Sequence, residues 1–212
     1  RKYSCPWDEG TCVGAARYRN FESLIWARTN GCPWNPNTFL KVLSYGSITV
    51  IEYFLRSENQ LLSLDGIFEM VFSSSRELGL GLGVYLEDKI SDDLIIAKLK
   101  LLRSYGLPLT ARSCFLAAYR GRLRVLQWLK YVGCAWDVET CTGAVRSYKK
   151  LNLEILKYAH ENGCEWDKDT YAHCLRYGGL SRLLDRNEAI PSKPDPYCAK
   201  IAQYLEENNC PK

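Results

Sequence analysis

Apolar side chains recur at helical spacing in short paired segments that are separated by polar breaks. In the first pair, Ala15 and Ala16 lie inside one segment. Phe21, Leu24 and Ile25 form an apolar face in the next segment, because three and four residues make one helical turn. The breaks are Arg19-Asn20, Gly46-Ser47 and Gly121-Arg122. The pattern predicts an all-α chain of helix pairs, which we call helix A and helix B.

A short phrase precedes helix A in four of these pairs. It reads Cys5-Pro6-Trp7-Asp8, Cys32-Pro33-Trp34-Asn35, Cys134-Ala135-Trp136-Asp137 and Cys164-Glu165-Trp166-Asp167, and Cys210-Pro211-Lys212 begins it once more. Periods of 27 and 30 residues are typical of a solenoid, in which each repeat buries its apolar face against its neighbours. We number the repeats 1 to 6, with bounds of about 5–31, 32–58, 59–106, 107–133, 134–163 and 164–209. We expect a single array over residues 1–212, taken from a longer one.

The residue after each Trp of the phrase is a predicted helix N-cap. A carboxylate such as that of Asp8 accepts from free N–H groups of the first turn, and the hydroxyl of Thr11 can bond back. The same pairing recurs in register as Asn35/Thr38, Thr110/Ser113, Asp137/Thr140 and Asp167/Thr170. Glycines at 31, 106, 133 and 163 are predicted to end helix B of their repeats.

Repeats 3 and 6 are longer because each carries an insertion between helix A and helix B. The insertion at 76–91 is rich in glycine, and the insertion at 178–196 contains three prolines. Insertions at one junction project from one edge of a solenoid, often where it binds a partner. The run from Gly79 to Gly83 follows no predicted strand and lacks Gly-Lys-Ser/Thr, so we predict a loop rather than a nucleotide site.

One position of helix B is aromatic in five repeats and is leucine in repeat 3. Its members are Trp26, Tyr53, Leu101, Trp128, Tyr158 and Tyr204. We predict that this position packs in the core between helices. The alternative is a cofactor-binding aromatic stripe.

The composition fits a continuous core without a membrane span. Apolar residues make up 47% of the chain, and no run of about 18 apolar residues occurs. The chain starts without the apolar segment of a signal peptide. We therefore expect no membrane contact. The expectation of an intracellular, cytoplasmic location rests on the cysteines instead, because a missing signal segment says little about a chain taken from a longer one.

The ten cysteines raise the question of disulfides or zinc. Cysteines at one repeat position would lie about 10 Å apart in stacked helices, which is beyond the roughly 7 Å that a disulfide allows. Two such sets exist: Cys5, Cys32, Cys134, Cys164 and Cys210, and Cys12, Cys114 and Cys141. No C-x-x-C pair of a zinc site occurs. We predict buried, reduced thiols, which are typical of an intracellular compartment.

Two segments resemble ankyrin repeats. Ala15-Ala16-Arg17-Tyr18-Arg19-Asn20-Phe21-Glu22 and Ala117-Ala118-Tyr119-Arg120-Gly121-Arg122-Leu123-Arg124 are similar to the family's A-A-x-x-G-H-x-E stretch. The Gly-Cys-Pro-Trp phrase is similar to the divergent ankyrin repeats of giant DNA viruses and some protists. The resemblance implies an ankyrin-like solenoid that binds proteins, in the cytoplasm of a host cell if the source is viral. The family's T-P-L-H tetrapeptide is absent, which implies shortened β-turn fingers.

The resemblance also indicates where a partner would bind. In ankyrin-like repeats the two positions after the Ala-Ala pair are variable and exposed, and here they are rich in tyrosine and arginine, the types enriched at binding hot spots. We call these residues the Tyr/Arg ladder: Arg17, Tyr18, Tyr45, Tyr119, Arg120, Arg146, Arg176 and Tyr177. Two interpretations remain open, a surface for a protein partner and a merely solubilising surface.

Other functions have weaker support in the sequence. Neither His160 nor His173 has an evident catalytic partner, and the acidic pairs Glu87-Asp88 and Asp92-Asp93 suit a helix N-terminus better than a metal. We therefore expect no enzyme activity, cofactor or metal. The net charge of +4 and a central basic cluster would permit nucleic acid, but acidic residues share those repeats. An acidic protein partner ranks above nucleic acid, and a regulatory or adaptor arm of a larger enzyme complex is a further alternative.

Overall fold

The computed structural model describes residues 7–57, 66–72, 90–146, 152–174 and 196–211. All regular secondary structure in these ranges is α-helical, which confirms the predicted all-α class. Several predicted features lie outside the described residues: the ladder residues Arg176 and Tyr177, the run from Gly79 to Gly83, the pair Glu87-Asp88, and nearly all of the insertions at 76–91 and 178–196.

The chain divides into two compact units, Arg1–Pro108 and Leu109–Lys212. The helices described in the N-terminal unit are α1 (Glu9–Arg17), α2 (Phe21–Thr29), α3 (Pro36–Tyr45), α4 (Ile48–Ser57), α5 (Ile67–Phe72) and α6 (Asp92–Ser104). Those of the C-terminal unit are α7 (Ala111–Tyr119), α8 (Leu123–Tyr131), α9 (Val138–Arg146), α10 (Asn152–Glu161), α11 (168–174 as described) and α12 (Pro196–Glu207).

Helix A of a repeat packs on its own helix B and on helix A of a neighbouring repeat. In the N-terminal unit α1 contacts α2 and α3, and α3 contacts α4 and α5. In the C-terminal unit α7 contacts α8 and α9, and α9 contacts α10. Small residues permit the close approach of α7 and α9, since a Cβ added at Gly143 would lie 3.0 Å from the carbonyl oxygen of Phe115. Burial of the apolar side chains on these faces contributes roughly 25 cal/mol per Å² to stability.

Side-chain caps form at four of the five predicted helix starts, those at Asp8, Asn35, Asp137 and Asp167. At Thr110 the return bond from its N–H to the Ser113 hydroxyl is present at 3.4 Å. The Asp8 carboxylate accepts from the Thr11 N–H at 3.3 Å, and the Asp8 N–H donates to the Thr11 hydroxyl at 3.4 Å. Asp167 and Thr170 repeat this reciprocal pair. In the described residues the hydroxyls of Thr38 and Thr140 are buried without a hydrogen-bond partner, so the return bond is missing there. The capping residue alone therefore suffices to start those helices.

The recurrent thiols of the repeated phrase bond to the backbone of the preceding repeat wherever the structure describes them. Four of them donate to the backbone carbonyl of the preceding N-cap residue: Cys32 to Asp8 at 3.4 Å, Cys134 to Thr110 at 3.3 Å, Cys164 to Asp137 at 3.1 Å and Cys210 to Asp167 at 3.5 Å. The described cysteines are buried and form no disulfide with one another. Thiols from the two sets meet, as the 3.5 Å between the Sγ atoms of Cys114 and Cys134 shows. The distance expected between cysteines of one set does not reveal this contact between cysteines of different sets.

None of the helices in the described ranges has both the length and the apolar character that a membrane crossing requires.

Candidate functional site

The ladder residues of the N-terminal unit lie at the C-terminal ends of α1 and α3. Arg17 is the last residue of α1 and is exposed, and Tyr18 follows it with 66% of its surface exposed. Tyr45 ends α3 and is half-buried. Arg19 brings the two helix ends together, because its Cζ lies 5.3 Å from the centroid of the Tyr45 ring. Packing of α1 on α3 thus places two tyrosines and two arginines in one group.

The hydroxyl of Tyr45 is the unusual atom of this group. It is buried, and within the described part of the chain it has no hydrogen-bond partner. Burial raises the pKa of Tyr45, while the guanidinium groups of Arg19 and then Arg17 act in the opposite direction. The hydroxyl therefore remains a protonated donor at neutral pH, and the charges that act on it are positive.

In the C-terminal unit, ladder residues extend a stack of rings and guanidinium groups along α7. Phe115 and Tyr119 lie one turn apart, with ring centroids 5.8 Å apart and planes at 6°. The Cζ of Arg112 is 4.7 Å from the Phe115 ring, and that of Arg120 is 5.9 Å from the Tyr119 ring. Tyr119 and Arg120 are half-buried, as is Arg146 at the end of α9. Cation–π contacts order the side chains of Arg112 and Arg120 against the two rings of α7.

A second surface was missed because its residues were assigned to the core. Trp26 is 57% exposed and Tyr53 is 38% exposed, so the core prediction is wrong for these two side chains. Trp128, Tyr158 and Tyr204 are half-buried. Whether a residue at this position is covered depends on how neighbouring elements cross, which helical spacing alone does not reveal.

The tryptophans of the repeated phrase lie beside these helix B residues. Trp7 meets Trp26 edge to face at 5.6 Å, and Trp166 meets Tyr204 in the same way at 6.1 Å. A basic residue six places before the tryptophan also contacts it in three repeats: Arg28 on Trp34 at 5.0 Å, Lys130 on Trp136 at 3.9 Å and His160 on Trp166 at 3.6 Å. This fixed six-residue spacing was visible in the sequence and could have identified the contacts.

Lys98 supports the ladder from inside the N-terminal unit. Its Nζ donates to the carbonyl oxygens of Leu43 and Ser44, which end α3 next to Tyr45. Only 1% of its surface is exposed, and this burial lowers the pKa of Lys98 to about 8. A buried ammonium group at carbonyls that lack helical partners is a C-terminal cap supplied by a distant helix.

His160 and the pair Asp92-Asp93 make contacts within the fold. His160 Nδ1 lies 3.2 Å from the Tyr204 hydroxyl, within the ring cluster around Trp166. Asp92 and Asp93 occupy the first turn of α6, behind the N-cap Ser91, as expected for favourable charge at a helix start. Across the described ranges, no group of three or more His, Cys, Asp or Glu side chains is arranged to hold a metal ion.

Comparison with known proteins gave no match to the chain, whether against protein-family models, curated proteins or solved structures.

Proposed function

We propose that this chain is an ankyrin-like helical-hairpin solenoid whose Tyr/Arg ladder binds another protein. The repeated caps, thiol contacts and A-on-A packing support a repeating design within each unit, and we propose that it extends to all six repeats. The observation that carries the function is the exposed pair Arg17-Tyr18 at the end of a capped helix. Large tyrosine and arginine side chains contribute a disproportionate share of binding energy at protein interfaces.

Rigid presentation favours binding over a solubilising role. Arg19 and Arg120 lie near the tyrosine rings of their own groups, and Lys98 caps the helix that ends in Tyr45. Side chains that are already ordered lose less conformational entropy when a partner arrives. A surface needed only for solubility gains nothing from such ordering. The insertions at 76–91 and 178–196 would supply further contacts.

The function is tested by removing the exposed ladder pair and measuring capture of a partner. The immobilised chain and its Arg17→Ser/Tyr18→Ala variant are each exposed to cell extract, and bound proteins are quantified by mass spectrometry. We expect at least one partner to lose tenfold or more in recovery, since a hot-spot contribution of about 2 kcal/mol exceeds the roughly 1.4 kcal/mol that corresponds to tenfold.

Tyr131→Ala is the matched control, because Tyr131 is 88% exposed and lies outside the ladder. It should retain the partner, and all three proteins should show the same helical circular dichroism. Equal recovery on the wild-type chain and the double variant would refute the ladder as a binding surface.

A further inference from the structure

The Tyr45 hydroxyl is a buried hydrogen-bond donor that lacks an acceptor among the described residues. Buried hydroxyls in folded proteins almost always have a partner, and a missing one costs about 1–3 kcal/mol. No described residue accepts from this hydroxyl, although its own helix is well ordered by the Asn35 cap and the Lys98 contacts. A ligand oxygen that accepts a hydrogen bond would complete it.

The positive charges around the Tyr45 hydroxyl indicate that the accepting ligand oxygen belongs to an anion. Arg19 and Arg17 are the charged groups that act on Tyr45, and the Arg19 guanidinium lies over its ring. Guanidinium groups donate in a planar fork that matches an oxyanion. Arg17 and Arg19 are exposed, so an incoming carboxylate can reach their guanidinium groups directly. Contact with the buried Tyr45 hydroxyl requires the Arg19 side chain, which lies over the ring, to move aside.

We propose that Arg17, Arg19 and Tyr45 form a contact site for an aspartate or glutamate side chain of the partner. This inference rests on the proposed function and names the chemistry of the partner at one point of the ladder. The group lies at the C-terminal ends of α1 and α3, where helix dipoles present partial negative charge. A singly charged carboxylate is repelled less there than a phosphate dianion.

Fluorescence anisotropy with two labelled 12-residue peptides tests the site. One alternates glutamate with glycine and the other alternates glutamine with glycine, so only the charge differs. We expect the 212-residue chain to bind the glutamate peptide about tenfold more tightly, as charge-assisted hydrogen bonds predict. Equal binding of the two peptides would overturn the proposal.

Tyr45→Phe separates recognition from stability, because it removes only the hydroxyl. It should weaken binding of the glutamate peptide several-fold while leaving the melting temperature unchanged or higher, since a buried donor without a partner is lost. Arg17→Gln should weaken binding similarly. Arg103→Gln, at an exposed arginine in the last turn of α6, is the matched control and should leave binding unchanged.

Competition by small anions decides whether the site prefers a carboxylate or a phosphate. At equal ionic strength, acetate should displace the glutamate peptide at least as well as inorganic phosphate does. Stronger displacement by phosphate would assign a phosphate site and refute the carboxylate. Undiminished binding of the glutamate peptide by Tyr45→Phe would also refute the site. In that case, loss of a partner by the Arg17→Ser/Tyr18→Ala variant would still support the proposed protein-binding function.

Discussion

Lys98 joins two parts of the N-terminal unit that are far apart in the chain. Its ammonium group caps α3 from α6, at carbonyls 55 and 54 residues away. The bonds compensate only part of the cost of burying a charge. At neutral pH the residue therefore stabilises the end of α3 while its burial opposes folding.

The pH dependence of Lys98 has a definite sign. Its folded pKa of about 8 is lower than the ordinary 10.5, so between these values the unfolded chain binds more protons than the native one. The contribution of Lys98 to the free energy of unfolding therefore rises with pH, by up to about 3 kcal/mol over that window. Urea unfolding of wild type and Lys98→Met from pH 7 to 10.5 checks this. As pH increases, the free energy of unfolding of the wild type should rise relative to that of Lys98→Met. Parallel pH curves would contradict the lowered pKa of Lys98.

At the scale of a helix, two glycines of the N-terminal unit have opposite roles. Gly14 lies inside α1, whereas Gly31 follows α2 with a φ of 79°. A Cβ at either position would meet nothing within 4 Å, so packing does not distinguish them. The difference is purely in backbone conformation, since side chains disfavour positive φ and glycine weakens a helix interior.

Alanine at these two positions should therefore change stability in opposite directions. Gly14→Ala should raise the free energy of unfolding by roughly 0.5–1 kcal/mol, and Gly31→Ala should lower it by about 1 kcal/mol. Thermal unfolding followed by circular dichroism measures both. Since each variant adds one methyl group in open space, each serves as the control for the other. A rise in both would show that Gly31 is not required by its backbone conformation, and a fall in both would contradict the gain predicted at Gly14.

Local sequence signals predicted the helices well because caps act over three or four residues. Asp8 with Thr11 and Asp167 with Thr170 could be read directly from spacing, and so could the glycine at 31. Lys98 could not be predicted, because its acceptors belong to another helix and its spacing on α6 looks like any surface lysine. The tyrosine–arginine group around Tyr45 also needed tertiary structure, since Arg19 faces a ring 26 residues later.

At the scale of the whole molecule, the buried thiols are the property that both units share. The pKa of Cys12 is raised to about 12, chiefly by burial, and burial also raises that of Cys210. The pKa of Cys114 is raised by its hydrogen bond to Cys134 and by burial. The two in-register sets of cysteines predicted these buried thiols, but not that thiols of the two sets would touch.

These thiols should make both units unstable in alkali. Above the ordinary cysteine pKa of 9.0, the unfolded chain releases thiol protons that the native chain retains, so stability is fully present below pH 9 and is lost as pH rises toward 12. For Cys12 this loss is about 1.4 kcal/mol by pH 10. Lys98 acts in the opposite direction, so the Lys98→Met background isolates the effect of the thiols. Urea unfolding in a reductant should show a falling free energy of unfolding from pH 8 to 10, with a shallower fall in Cys210→Ala. A flat profile in that background would mean that the thiols ionise equally well in the folded chain.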